Sequence, residues 1–321
     1  QAIWVMTAYQ LTLACLLLPV AALGEKYGQW LIYSIGLALF GIGAIGSAMS
    51  TTLSTLIAGR VLQGVGAAGI QSMIMALLRH SYPVELFGRA SGVNSSVVGV
   101  AMASGPALGA AILAFSEWRM LFFLSLPIAV FSAAVGIWAL PRVARPSLKF
   151  DPLSALLTSL AILSFVLGLN ELRSGVHPVR MAAMLGLSAV LIALTIRRLR
   201  GEQDPVLPLD LLSIRIIALS MTTALFIFSA QAIAMIALPF YLAQTTSLSP
   251  GAIGLLITPW PVGMAIMANV SGRLAERYSA RLICAAGIAG MFASALSLAL
   301  IPDNPAPVDV LWRVALFGLG F

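Results

Sequence analysis

The chain has 321 residues, of which 60% are hydrophobic and 9% are charged, and its formal net charge is +7. A soluble domain carries roughly a quarter charged residues, so a mean hydropathy of +1.01 excludes a water-soluble fold and predicts a chain embedded in lipid. Cys15 and Cys284 lie inside apolar runs, and His80 and His177 lie in connecting segments. This distribution predicts no disulfide framework, no metal site and no bound cofactor.

Long apolar runs predict ten complete membrane-spanning helices and the start of an eleventh. A helix needs about 20 apolar residues to cross the hydrocarbon core, and these runs lack the alternation that a membrane β-barrel requires. Backbone polar groups in lipid must pair within their own segment, so we expect an all-α polytopic bundle. The predicted spans are 3–22, 31–50, 54–78, 90–114, 119–140, 152–170, 179–198, 216–243, 251–271 and 281–301, and the eleventh begins near 310.

The chain begins at the edge of one predicted span and ends inside another. No basic region or small-residue cleavage site precedes the first span, so these residues do not resemble a signal peptide. We therefore expect the sequence to be truncated at both ends.

Basic residues are concentrated in alternate connections between the spans. The connections 23–30, 79–90, 141–151, 197–215 and 272–281 contain thirteen Lys and Arg residues, and the opposite set contains three. The positive-inside rule then predicts that the first set is cytoplasmic and that residue 1 starts on the outer side. We expect a multi-pass plasma-membrane protein in a bacterial inner membrane. The net positive charge then reflects the membrane topology and does not indicate a nucleic-acid partner.

One cytoplasmic connection occurs twice in the chain. The segments LGEKYGQWLI (23–32) and LAERYSARLI (274–283) align without a gap, 251 positions apart. Arg60 and Arg313 follow these segments at similar distances. Internal repeats with the same orientation are typical of transporters built from two parallel halves.

Five segments, the first of which overlaps the repeated connection, have the order and spacing of a known family. They are AALGEKYGQW (21–30), RVLQGVGAAG (60–69), GPALGA (105–110), EWRMLFFLSLP (117–127) and LPFYLAQTTSLSPGAIGLLITPWPVG (238–263). Over its whole length the chain resembles the major facilitator superfamily, and specifically its fourteen-span drug:proton antiporter branch. It departs from the family pattern at Ala21, Glu25, Gln29, Trp30, Ala110 and Ser125.

The resemblance implies two parallel pseudo-repeats with two extra helices between them. Residues 1–140 would form an N-terminal half-bundle that lacks its first span. Residues 141–215 would supply linkers and two additional membrane helices. Residues 216–321 would form a truncated C-terminal half-bundle.

The resemblance also implies a secondary transporter and not an enzyme. It would export small lipophilic, cationic compounds by alternating access, with the proton gradient as its energy source and the lipid bilayer as its surroundings. We expect a monomer, although the sequence leaves oligomers open. A facilitator-fold carrier of a specific metabolite and a non-transporting membrane sensor remain alternatives.

Candidate site residues fall into four groups. The resemblance implies a role in proton coupling for Arg60 and Gln63, with snorkelling of Arg60 to the headgroups as the alternative. It implies an antiporter and helix-packing motif at Gly99, Gly105, Pro106 and Gly109. It implies cytoplasmic gate motifs, made of Glu25, Lys26, Gly28, Gly272, Arg273, Glu276, Arg277 and Arg281. The alternative is that the basic residues of these motifs only anchor the topology.

The fourth group consists of polar residues within spans that are candidates for a substrate cavity: Gln10, Asn94, Gln231 and Asn269. Every acidic residue lies at a span edge or in a connection. A proton-coupled exporter of cations needs a carboxylate at membrane depth. We therefore expect one in a helix upstream of Gln1, where the resembled family has an Asp.

Overall fold

The computed structural model describes residues 3–140, 151–174, 178–199, 213–246, 248–275, 277–302 and 305–321. Most of these residues are helical, and they include no strand. The helices are α1 (Ile3–Tyr27), α2 (Gln29–Ala48), α3 (Leu53–Ser81), α4 (Val84–Phe115), α5 (Arg119–Ala139), α6 (Pro152–Ser174), α7 (Pro178–Leu199), α8 (Arg215–Thr245), α9 (Pro250–Ile257), α10 (Pro259–Leu274), α11 (Ala280–Ala299) and α12 (Pro307–Gly320).

The helices confirm the predicted all-α transmembrane bundle. Within the described ranges, nine helical segments are long and apolar enough to cross a membrane. The predicted span 251–271 is divided into α9 and α10 at Thr258, because Pro259 and Pro261 have no backbone N–H to continue the helical ladder.

The first repeated connection is shorter than the sequence predicts. The sequence predicts a connection over residues 23–30, but α1 continues to Tyr27 and α2 begins at Gln29. Gly28 alone separates the two helices, with a φ of 103°. Only glycine adopts this conformation without steric cost, so the charged residues of this segment extend a helix and do not form a loop.

The described helices divide into two compact units. One contains α1–α3 and α5–α7, and the other contains α4 and α8–α12. In the second unit, α4 packs against α10. The division of the chain at residues 140 and 215, which the sequence suggests, stays a prediction.

Glycines bring three helices of the first unit close together. A Cβ atom added to Gly64 on α3 would lie 2.8 Å from the carbonyl oxygen of Tyr9 on α1. One added to Gly66 would lie 2.6 Å from the carbonyl oxygen of Gly36 on α2. Real Cβ atoms do not approach so closely, so α3 packs backbone-to-backbone between α1 and α2.

The second unit contains the same arrangement. A Cβ atom added to Gly318 on α12 would overlap the carbonyl oxygen of Trp260 on α10. One added to Gly320 would lie 2.5 Å from the backbone nitrogen of Met291 and 2.8 Å from the carbonyl oxygen of Gly287, both on α11. Helix α12 therefore packs on α10 and α11 as α3 packs on α1 and α2.

The residues that these glycines contact fall at matching sequence positions, whereas the glycines themselves are 254 positions apart. Trp260 and Gly287 follow Tyr9 and Gly36 by the same 251 positions that separate the repeated connections. In the first unit, Gly64 contacts α1 and Gly66 contacts α2. In the second unit, Gly318 contacts α10 and Gly320 contacts α11. The repeat is therefore a repeat of packing geometry as well as of sequence.

Helices α6 and α7 form a hairpin fixed by a polar cluster. Arg198 Nε donates to Asp151 Oδ2 at 2.7 Å and Nη2 donates to Oδ1 at 3.3 Å. Ser154 Oγ and the Leu153 backbone N–H also donate to this carboxylate. The Arg198 guanidinium and these donors hold the pKa of Asp151 well below its usual range. Ser159 Oγ donates to the Cys15 carbonyl at 2.9 Å and joins α6 to α1.

Candidate functional site

Arg60 lies within α3 and its guanidinium points toward α1. Nε donates to the Val5 carbonyl at 3.1 Å, and Nη1 donates to Gln63 Oε1 at 2.9 Å. The guanidinium carbon lies 4.4 Å from the centroid of the Tyr9 ring and 5.8 Å from that of Phe122. These contacts favour a position inside the helical bundle over snorkelling to the headgroups.

Arg60 and Gln63 form one polar cluster, as their spacing of three residues predicts. Gln63 is 2% exposed, and its amide oxygen is satisfied by Arg60. In the described part of the chain, no acidic side chain forms an ion pair with Arg60. Arginine keeps its proton in proteins, so this cluster provides a fixed positive charge within the span and does not itself release a proton.

Sequence analysis does not pair Arg60 with Val5, Tyr9 or Phe122. The repeat gives a sequence signal for Tyr9 alone, because Tyr9 corresponds to another aromatic residue, Trp260, 251 positions later. In the structure the Trp260 ring meets that of Phe317 edge to face, with ring centroids 4.7 Å apart. Tyr9 and Trp260 both lie where the third helix of the repeat meets the first. The rotation of α1 that directs the Val5 carbonyl at Arg60 is not readable from hydropathy.

The glycines of the antiporter motif differ in what they contact. A Cβ atom on Gly99 would lie 2.9 Å from the Pro261 carbonyl oxygen, so α4 approaches α10 closely there. No atom lies within 4 Å of a Cβ added at Gly105 or Gly109 among the described residues. Among the described residues the close approach of α4 to α10 runs through Gly92 and Gly99, and a packing role for Gly105 and Gly109 stays a prediction. The side chain of Pro106 is outside the described set.

A groove of about 510 Å³ lies between α4 and α10. Asn269 Nδ2 donates to Ser96 Oγ at 2.5 Å, and Ser96 Oγ donates to the Ala265 carbonyl at 2.8 Å, so hydrogen bonds join the two helices at the base of the groove. Its lining is otherwise largely apolar, and its residues are Ser96, Val100, Ala103, Ser104, Val262, Ala265, Ile266 and Asn269.

The other candidate cavity residues do not line this groove. Gln10 is exposed on α1, and Asn94 is half-buried on α4. Gln231 is 9% exposed and donates from Nε2 to Met264 Sδ at 3.8 Å, so it serves packing within its unit. Asn269 alone of the four predicted residues lines one of the described cavities.

A smaller cleft of about 100 Å³ adjoins the groove at Asn269. Arg89 of α4 and Arg273 of α10 both line it, with Gly92, Val93 and Gly272. A Cβ atom on Gly272 would lie 3.4 Å from the Gly88 carbonyl oxygen, so the two backbones are in contact beside the arginines. Sequence analysis identified Arg273 but not Arg89, because the two residues are far apart in the chain.

The predicted gate residues lie at helix ends. Glu25 is exposed and forms no ion pair within the described ranges, whereas the Lys26 ammonium lies 5.0 Å from the centroid of the Tyr27 ring. Arg277 and Arg281 are exposed. Glu276 is outside the described residues, so a gate role for the repeated connection stays a prediction.

These features define the class of protein: a polytopic helical membrane carrier with an internal repeat. The family model of the Major Facilitator Superfamily matches residues 1–321. The chain belongs to this superfamily.

Three curated relatives are similar over nearly the whole chain. The uncharacterized transporter YebQ of Escherichia coli (strain K12) is 37% identical over 325 residues, which cover 100% of this chain and 71% of YebQ. The riboflavin transporter RibZ of Clostridioides difficile (strain 630) is 30% identical over 322 residues, which cover 99% of this chain and 69% of RibZ. The tetracenomycin C resistance and export protein of Streptomyces glaucescens is 28% identical over 327 residues, which cover 99% of this chain and 60% of that protein.

A solved structure shows the same fold. The proton:xylose symporter XylE, bound to 6-bromo-6-deoxy-D-glucose, matches with a TM-score of 0.58 at 15% sequence identity. The match covers 98% of this chain and 69% of XylE. At this level of identity the likeness concerns the fold alone.

Proposed function

We propose that this secondary carrier is a proton-coupled exporter of small lipophilic, cationic compounds, acting by alternating access in a bacterial inner membrane. The main observation in support is the fixed charge of Arg60, held at 3.1 Å and 2.9 Å by a carbonyl and an amide oxygen inside the bundle. An arginine at membrane depth is costly and marks ion or substrate pathways. The export function named for the tetracenomycin relative agrees with this proposal.

Arg60 would act on an anionic group and not on the proton directly. A positive charge favours the ionised form of a nearby carboxylate, so it eases release of the proton that the carboxylate carries. The described residues that line the groove and the cleft include no carboxylate. The proposal therefore requires an acidic residue elsewhere in the full-length protein.

Dye efflux from cells that express the full-length protein tests the proposal. We expect cells loaded with a lipophilic cationic dye to lose it faster than vector controls, and a protonophore to abolish the difference because no gradient remains to drive export. A neutral lipophilic dye should leave more slowly. Efflux that persists unchanged with the protonophore would contradict proton coupling.

A second candidate is a carrier of a defined metabolite. Its support is the 30% identity to the riboflavin transporter over 99% of this chain. Such a carrier would show saturable transport of one solute and no dye efflux. Labelled riboflavin, offered to the same cells, distinguishes the two candidates.

A further inference from the structure

The cleft between α4 and α10 brings two positive charges together without an acidic partner. Arg89 and Arg273 line the same space of about 100 Å³. In the described part of the chain, neither forms an ion pair, and Glu85, one turn before Arg89, is exposed and unpaired. Like charges that share a small cleft lie within the Debye length of about 8–10 Å, so they repel unless an anion lies between them. The cleft is therefore electrostatically suited to an anion.

The shape of the cleft suits a phosphate group. Gly92 is buried and Gly272 is half-buried, so these two residues contribute wall without a side chain, beside the side chains of Val93 and Asn269. Guanidinium groups bind phosphate oxygens through paired hydrogen bonds. Asn269 uses its amide nitrogen to bond Ser96, and the oxygen of the same amide is directed to no described donor, so it can accept a hydrogen bond from a headgroup hydroxyl.

The groove that continues from the cleft suits an acyl chain. Val100, Val262 and Ile266 line it and are all exposed, which is costly in water and favourable against a hydrocarbon chain. From Arg89 to Ser104 the axis of α4 rises about 22 Å, at 1.5 Å per residue. One leaflet of the hydrocarbon core is about 15 Å thick, so the cleft and groove together extend through a leaflet.

The distribution of basic residues predicts that Arg89 and Arg273 lie on the cytoplasmic side, where anionic lipids are enriched. A basic pocket between membrane helices on that side is a recognised kind of headgroup site. We propose that this cleft and groove bind one anionic phospholipid of the cytoplasmic leaflet, with its phosphate between Arg89 and Arg273 and one acyl chain along α4 and α10. The proposal is independent of what the protein transports.

Native mass spectrometry of the full-length protein in mild detergent tests the site. The probes are dioleoyl phosphatidylglycerol and, as a neutral comparison, dioleoyl phosphatidylcholine. We expect one phosphatidylglycerol to bind more tightly than phosphatidylcholine. The double variant Arg89→Gln/Arg273→Gln should weaken its affinity by about tenfold or more, because two phosphate contacts are lost.

Arg79→Gln is the matched control, since Arg79 is exposed on the same predicted side of the membrane but does not line the cleft. It should leave the affinity unchanged, and thermal unfolding should be the same for all three proteins. Ser104→Phe, which fills the groove, should weaken the affinity for phosphatidylglycerol. It should not change the affinity for glycerol 3-phosphate, which has no acyl chain.

Two results would overturn the proposal. One is wild-type affinity for phosphatidylglycerol in the double variant. The other is inorganic phosphate displacing the lipid at equal concentration, which would show a site for free phosphate that does not need the acyl chain.

Discussion

Replacing Arg60 with alanine is expected to abolish dye efflux while membrane abundance stays close to that of the wild type. The substitution removes the fixed charge, and with it the interaction that the proposed function requires. It also removes the donor to the buried Gln63 oxygen, which costs about 1–3 kcal/mol if that oxygen stays unsatisfied. The Val5 carbonyl loses its bond from Arg60 but lies within α1 and keeps its place in the helical ladder. The substitution also removes the desolvation penalty of a half-buried charge, which offsets part of this cost. The protein should therefore still fold and insert into the membrane.

Two further variants give this experiment its controls. Arg79→Ala removes an exposed arginine at the end of the same helix and should leave efflux unchanged. Arg60→Lys keeps the charge but not the planar geometry that reaches both oxygens, so partial efflux is expected. Wild-type efflux from Arg60→Ala, at matched abundance, would assign Arg60 an anchoring role instead.

Alanine at the repeated glycines should destabilise both units. A Cβ atom at Gly66 or Gly318 meets backbone atoms of a neighbouring helix, which cannot rotate away as a side chain can. The helices must separate by several tenths of an ångström or more, and such overpacking costs about 1–3 kcal/mol or more. We expect Gly66→Ala and Gly318→Ala each to lower the Tm of the purified protein and its abundance in the membrane.

Glycines that face open space are the matched controls. No described atom lies within 4 Å of a Cβ added at Gly186 on α7 or at Gly254 on α9. Alanine there should leave Tm unchanged or raise it, since alanine favours a helix by up to about 1 kcal/mol over glycine. A Tm for Gly66→Ala or Gly318→Ala at or above that of the wild type would show that the close packing is not required.

Much of the fold follows from hydropathy and from the repeat. The apolar runs predict the spans because a bilayer requires about 20 apolar residues per helix. The ten-residue match between 23–32 and 274–283 predicts that flanking helices pack alike, and the contacts of Gly64 and Gly318 agree. The break at Gly28 was not predictable, because a single residue with positive φ leaves no hydropathy signal.

The candidate site was harder to predict, because its contacts depend on how each helix is rotated about its axis. The spacing of Arg60 and Gln63 is local and was sufficient to pair them. The partners of Arg60 on α1 and α5 depend on this rotation, and so does the contact of Gly99 with α10. Arg89 and Arg273 meet only through the packing of α4 on α10, which no local pattern encodes.

Labelling of single cysteines at Lys26 and Arg277 is the most direct measurement of the two-copy architecture. Lys26→Cys and Arg277→Cys would be introduced separately into a full-length protein freed of other cysteines, including Cys15 and Cys284. Each would be exposed to a membrane-impermeant maleimide. Both positions should react in inverted membrane vesicles and remain unlabelled in intact cells. Labelling of one position from each side of the membrane would contradict two like-oriented copies.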